Sequence, residues 1–324
     1  MKLQQLRFLA TIAQSDLNIT TAAAKLYATQ PAISKQLRQL EDELGFSIFE
    51  RHGRSLSKVT APGARVIDCA LRVLREIQNI KVISTDYRDD SSGTLSIGTT
   101  HTQARYVLPA VIGEFRERYP KVQLNLLQGT SEQIADLAHT GRIDLAIATG
   151  SASLFDKFVL LPCYRWHRQI IVPRGHPLAA ATQVDYETLG RYPIVTYVFS
   201  FTGPSSLYDA FVAHGVRPDI ALAARDADVI KTYVRLGIGV GIVANMAIDP
   251  VEDADLVVVD ARHLFPTHVT WVGFDRGALL RRYVYDFVGL LAPHLTRRVI
   301  DRATATGSQA ESDALFERVK LPQR

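Results

Sequence analysis

Cysteine is scarce: Cys69 and Cys163 are the two thiols in 324 residues. Two thiols are too few for a disulfide framework, and their separation does not match metal-ligand spacing, so no stapled fold and no metal site is expected. Both are read as buried structural thiols, Cys69 on a helix and Cys163 on a strand. Long apolar runs are also missing. No stretch reaches the roughly 20 residues that span a bilayer, and the opening Met1–Leu6 lacks an export-signal pattern. A cytoplasmic protein without a membrane partner is therefore expected.

Neither sign of charge dominates, with 37 Lys+Arg against 33 Asp+Glu and a net charge of +4. That balance permits an anionic partner without requiring one. Apolar residues make up 47% and charged residues 22%, which argues against wholesale disorder. The length suits a small domain followed by a larger one. Catalytic signatures are lacking too: there is no P-loop, no Gly-x-Ser-x-Gly and no His-Glu-x-x-His. Gly237-Ile238-Gly239-Val240-Gly241 resembles half a dinucleotide fingerprint, but it precedes a strand and follows a helix, the reverse of the required order. No enzyme activity and no cofactor are expected.

What is present begins with helices. Leu3, Leu6, Phe8, Leu9 and Ile12 form a stripe at helical spacing, and a second short helix spans about Thr20–Leu26 with three consecutive alanines. Thr29, Gln30 and Pro31 carry the cap and first-turn signals of a third helix. Ile33, Leu37, Leu40 and Leu44 face inward along it, and Gly45 stops it. Ser34, Lys35 and Arg38 occupy its outer face early on, whereas Glu41-Asp42-Glu43 lie at the far end. A reading helix enters the major groove N-terminus first, so this distribution suits helix-turn-helix recognition of double-stranded promoter DNA. Residues 46–60 then alternate around His52-Gly53, a hairpin whose Arg51, Arg54 and Lys58 fit a phosphate-contacting wing. A long helix follows, with Val66, Ala70, Val73, Ile77 and Ile80 as a short seam for a second copy of the chain.

From Gly93 onward, short strands alternate with helices, the pattern of an α/β fold. A helix is expected from about Thr102 to Tyr119. Thr99-Thr100-His101-Thr102-Gln103 follows a strand and opens that helix, and Thr149 follows another strand, where ligands of such sheets bind. Hydroxyls, an amide and backbone N–H groups can hold an oxyanion or acyl-amino acid. The tail beyond Arg297 is more polar, with 303–312 read as flexible and 315–319 as a short docked helix.

Ala22–Leu26, Thr29–Ser34, Leu40–Gly45, Phe49–Arg51 and Val59–Gly63 resemble the signature of LysR-type transcriptional regulators. Thr99–Tyr106, Ala146–Thr149, Leu161–Tyr164, Phe201–Gly203 and Asp226–Arg235 are similar to the branch of that family that activates cysteine biosynthesis. The resemblance implies an N-terminal α-rich winged helix-turn-helix (1–60), a linker and dimerisation helix (61–88) and a C-terminal bilobed α/β periplasmic-binding-protein-like effector domain (89–324). Lobe I would take about 89–162 and 268–295, lobe II 163–267 and a tail 296–324. DNA contacts are implied for Thr29, Gln30, Pro31, Ser34, Lys35, Arg38, Arg51 and Arg54, and effector contacts for Thr100, Thr102, Gln103, Thr149, Trp166 and Thr202. Implied partners are promoter DNA, RNA polymerase, further copies of the chain in a dimer or tetramer, and a small anionic or acyl-amino-acid effector such as N-acetylserine, O-acetylserine or sulfate. The match departs at Gly150, where that branch carries Glu. A regulator of sulfonate or sulfate-ester use is the alternative reading, and an anion-binding solute-binding protein a remote one.

Overall fold

The computed structural model describes residues 1–53, 55–86, 91–150, 152–181, 183–201 and 207–324, the side chains of 85, 86 and 201 aside. It divides into two compact units, Met1–Asp90 with Gly277–Leu280, and Ser91–Arg276 with Arg281–Arg324.

The first unit contains α1 (Leu3–Ala13), α2 (Ile19–Lys25), α3 (Gln30–Leu44), the hairpin β1 (Phe49–His52) and β2 (Ser55–Val59), and α4 (Ala61–Asp86). Leu9, Ile12, Ile33, Leu37 and Leu40 meet Ala22, Ala23, Ile48, Phe49 and Leu56 in one core. The alanines of α2 let it cross close to its neighbours, and Asn18 caps it by accepting from the Thr21 amide at 3.0 Å. The α4 seam divides in two. Val66 and Ala70 pack into this core, whereas Val73, Ile80 and Ile83 are 44%, 65% and 51% exposed. Cys69 corrects the expectation of two buried thiols: it is exposed, and only Cys163 is buried. Ile67 and Ala70 hold the inward face of α4, and at about 100° per residue Cys69 turns away from it.

The second unit opens with β3 (Ser92–Thr99), α5 (His101–Tyr106), α6 (Leu108–Arg118), β4 (Lys121–Gln128), α7 (Ser131–His139), β5 (Leu145–Thr149) and β6 (Phe158–Trp166). There follow β7 (Arg168–Pro173), α8 (Tyr186–Leu189), β8 (Ile194–Tyr197), α9 (Leu207–Ala213), β9 (Ile220–Ala224), α10 (Ala227–Arg235), β10 (Val240–Ala244) and β11 (Leu256–Val259). The chain closes with β12 (His268–Asp275), α11 (Arg282–Leu291), α12 (Arg297–Thr304) and α13 (Gln309–Ala314). Two five-stranded sheets result, in the orders β4-β3-β5-β12-β6 and β11-β7-β10-β8-β9. Each is the core of one lobe. In the first, β3 lies parallel to β4 and β5, and the returning β12 runs antiparallel to β5 and β6.

Several details differ from the pattern read in the sequence. The helix expected from Thr102 to Tyr119 is two helices, because Pro109 sits in the first turn of α6 and cannot donate a backbone bond to a preceding turn. The crossing to the second sheet falls at His167, past Cys163, since β6 keeps pairing with β12 as far as Trp166 opposite His268. Gly237 has φ +74°, and a Cβ on Gly239 would stand 2.3 Å from the Pro193 carbonyl oxygen. These glycines make the tight turn from α10 into β10. The segment 303–312 is ordered rather than flexible: Ala303 and Ser312 are fully buried, and the Gln309 side chain bonds both the N–H (3.0 Å) and the carbonyl (2.8 Å) of Leu160 on β6. Residues 315–318 form turns rather than the helix expected over 315–319, with Phe316 docked and buried.

Candidate functional site

The DNA-facing residues are displayed by the way α3 is capped and packed. Thr29 accepts from the Ala32 amide at 3.4 Å, and Pro31 occupies the first turn. With Ile33, Leu37 and Leu40 buried at steps of four and three, Lys35 and Arg38 project outward and are exposed, as are Thr29, Gln30 and Pro31; Ser34 is half-buried. Arg51 also has a partner within the fold. Its guanidinium pairs with Glu41 at 2.9 Å, and Glu41 also accepts from the amides of Ile48 (2.8 Å) and Phe49 (3.3 Å). The acidic end of α3 thus holds the wing in place, and Arg51 serves that anchor. Arg54 and Thr202 lie outside the described residues. Tyr27, absent from the sequence-based set, is fully exposed at φ +50° in the turn leading to α3. A bulky residue in the left-handed region carries strain, and its position beside Thr29 makes it a further candidate contact.

Of the six residues expected to contact an effector, Gln103, Thr149 and Trp166 meet at one face of the first sheet. Thr270 on β12 stands opposite both Thr149 on β5 and Tyr164 on β6, and His268 stands opposite Trp166. Alternation along strands places these five side chains on the same side. Thr149 and Thr270 share a hydroxyl–hydroxyl bond of 2.8 Å, and the Trp166 indole donates to Thr149 Oγ1 at 3.1 Å. The Gln103 amide donates to Thr270 Oγ1 at 3.3 Å, while the Tyr164 hydroxyl donates to Gln103 Oε1. Gln103, Thr149 and Trp166 are therefore joined through Thr270, a residue that reading the sequence missed. Its signal was available: His268 and Thr270 are polar at alternate positions of an otherwise apolar internal strand. When Thr270 donates, Thr149 accepts two bonds and keeps its own proton for an incoming acceptor.

Thr100 adopts an extended conformation at the start of α5 and makes no side-chain cap bond, so its hydroxyl is not consumed by the helix. Thr102 is buried in the first turn of α5 and meets the Tyr197 hydroxyl of the second lobe, which also accepts from the Ala244 amide at 3.2 Å. The far end of α5 reaches that lobe as well. Tyr106 donates to Asp228 at 2.6 Å, and Arg105 pairs with Asp228 (3.4 Å) and Glu252 (3.3 Å). His268 stacks on Trp166 with ring centroids 4.4 Å apart, and its buried Nε2 has no hydrogen-bond partner among the described residues. Burial, helped by the nearby charge of Arg168, pushes its pKa down to about 3, so the ring is neutral. Gly150 has φ +105°, and among the described residues nothing lies within 4 Å of where a Cβ would stand. A side chain there would have room but would strain the backbone, so the missing carboxylate goes with a conformation that favours glycine.

Residues 3–64 match the bacterial regulatory helix-turn-helix protein, lysR family, and residues 88–296 match the LysR substrate binding domain. The chain is 47% identical over 321 residues to the HTH-type transcriptional regulator CysB of Haemophilus influenzae, covering 99% of each chain. It is 45% identical to SsuR of Burkholderia cenocepacia (93% of this chain, 97% of the relative) and 41% identical to cbl of Escherichia coli (97% and 99%). The crystal structure of the cofactor-binding domain of the Cbl regulator superposes with a TM-score of 0.63 at 43% identity, covering 67% of this chain and 96% of that one. A full-length OxyR variant from Pseudomonas aeruginosa, 21% identical with a TM-score of 0.70 over 90% of this chain and 94% of that one, shares the fold. The chain belongs to the LysR family of DNA-binding transcriptional regulators.

Proposed function

We propose that this regulator controls genes of sulfur assimilation and cysteine biosynthesis, mainly as an activator, in response to a small anionic or acyl-amino-acid metabolite. The effector is N-acetylserine, O-acetylserine or sulfate, held by Thr100, Thr102, Gln103, Thr149, Trp166 and Thr202 between the lobes. The observation that carries this reading is the linked donor network of Gln103, Thr149 and Trp166 around Thr270. Preorganised neutral donors in a buried setting bind an oxyanion or acyl oxygen well. Promoter DNA is read by Thr29, Gln30, Pro31, Ser34, Lys35 and Arg38, with the wing on the phosphates. The apolar stripe of Val73, Ile80 and Ile83 on α4 supplies a contact for a second copy, giving a dimer or tetramer that acts in the cytoplasm and reaches RNA polymerase at the promoter. Effector binding then shifts the arrangement of subunits by its preference for one state. The glycine at 150 supports a second reading, in which sulfate or adenylyl sulfate reports on sulfonate and sulfate-ester use.

A thermal-shift titration of the full-length protein against the acetylserines, sulfate and adenylyl sulfate tests this. A true effector at 100 times its Kd stabilises the fold by about 2.7 kcal/mol, and Thr100→Val abolishes the response without disturbing the network. A shift from acetylserines assigns the cysteine regulon, and one from adenylyl sulfate alone the second reading. If none of the four raises the melting temperature, the effector assignment fails.

A further inference from the structure

The tail, whose role the sequence left open, reaches the back of the effector patch. Gln323 forms a parallel bridge with Arg165, flanked by bonds from the Arg165 amide to Pro322 O (2.8 Å) and from the Arg324 amide to Arg165 O (3.0 Å). Strand β6 is the edge of its sheet, so the segment extends that sheet by one short strand. Alternation places Arg324 on the face that carries Tyr164 and Trp166, and its guanidinium carbon stands 5.3 Å from the centre of the Tyr164 ring. Tyr164 is fully buried and uses its hydroxyl on Gln103. On the other side, the Asn245 side chain donates to the Arg324 carbonyl, while its amide oxygen accepts from the His167 N–H at 3.2 Å. Asn245 follows β10 of the second lobe, and His167 is the crossing between lobes. Three residues of tail therefore touch both lobes where they join.

Gln103 shows what this accomplishes. Its amide has one acceptor and one donating end, and Tyr164 takes the acceptor, so the N–H must point to Thr270. A cation over the phenol ring holds that ring in place and makes its O–H a stronger donor. We propose that residues 322–324 are a strap and that Arg324 is a positioning residue. Through Tyr164 it fixes the orientation of Gln103, and through Asn245 it ties that orientation to the second lobe. The strap thereby regulates the effector site, an inference that rests on the site assigned above, and seating of the strap and closure on the effector become one event.

The test uses the full-length chain with Arg324→Ala and Arg324→Lys, and two readouts. Hydrogen exchange of the ligand-free protein follows the α5 amides of Ala104 and Val107, which bond the Thr100 and Gln103 carbonyls. Calorimetry follows sulfate and N-acetylserine. Arg324→Ala speeds exchange of those amides and weakens binding about 3- to 30-fold, the range of a cation–π contact. Arg324→Lys, which keeps a cation, restores both. Wild-type exchange and affinity in Arg324→Ala, or a lysine variant as impaired as the alanine one, overturn the strap. If neither compound binds the wild type, the affinity readout moves to O-acetylserine and adenylyl sulfate, and exchange of the α5 amides still decides: acceleration in Arg324→Ala supports the strap, and no change overturns it.

Discussion

The reading helix and the proposed effector patch are built on opposite principles. On α3, Lys35 and Arg38 stand in water, close in sequence. Such charges act over distance, are screened by salt and are largely independent of one another. In the patch, Thr270 and Gln103 are almost wholly buried, the donors are neutral, and each bond fixes the geometry of the next. A duplex offers many phosphates and is held by exposed cations. A small metabolite offers a few oxygens and needs donors already aimed. Selectivity among metabolites accordingly resides where burial is greatest.

The largest expected effect concerns Glu41, the buried carboxylate near the C-terminal end of the reading helix. Glu41→Ala leaves Arg51 and the amides of Ile48 and Phe49 without their acceptor. It should cost the N-terminal unit about 3–5 kcal/mol, measured by urea denaturation, and abolish promoter binding while leaving the effector's thermal shift in place. A loss below about 1 kcal/mol would show that this anchor behaves as a surface pair.

A smaller effect tests whether the patch is dry. Unfolded, the His268 imidazole takes up a proton near pH 6.5; folded, only near 3. Wild-type stability therefore falls as pH drops between those values, by about 2 kcal/mol from pH 7 to 5. In His268→Gln that part of the slope should vanish, as read from urea midpoints across the range. Equal slopes in the two proteins would mean that water reaches the ring.

The smallest effect sharpens the contrast in salt dependence. Lys35→Ala should weaken promoter binding less than about tenfold at physiological salt, yet lower the slope of log K against log salt by about one. Effector affinity, resting on neutral donors, should stay nearly level over the same range. A steep salt dependence for the effector would place a cation in contact with it.

Much of the DNA-binding end was legible because its signals are local. A cap at Thr29, a proline in the first turn, apolar steps from Ile33 to Leu40 and early cations all lie within one helix, where a period of about 3.6 assigns each face. The effector site was legible only in part. Motifs singled out Gln103, Thr149 and Trp166, which the fold brings together, but not Thr270 or the tail, since β12 meets β5 and β6 from more than 100 residues away in the chain. The misreadings share that cause. Cys69 and the ordered segment 303–312 look ordinary until the neighbouring element is known.

The sequence by itself determined the α-rich reading head, the alternation of strands and helices, and the residue types of both sites, because caps, turns and periodicity act between near neighbours. The tertiary structure alone decided that Arg51 pairs with Glu41, that Thr270 joins Thr149 and Gln103, and that Arg324 lies against Tyr164. Strand register and edge pairing are set by packing across the whole fold, and packing brings together groups whose separation along the chain carries no sign of their contact.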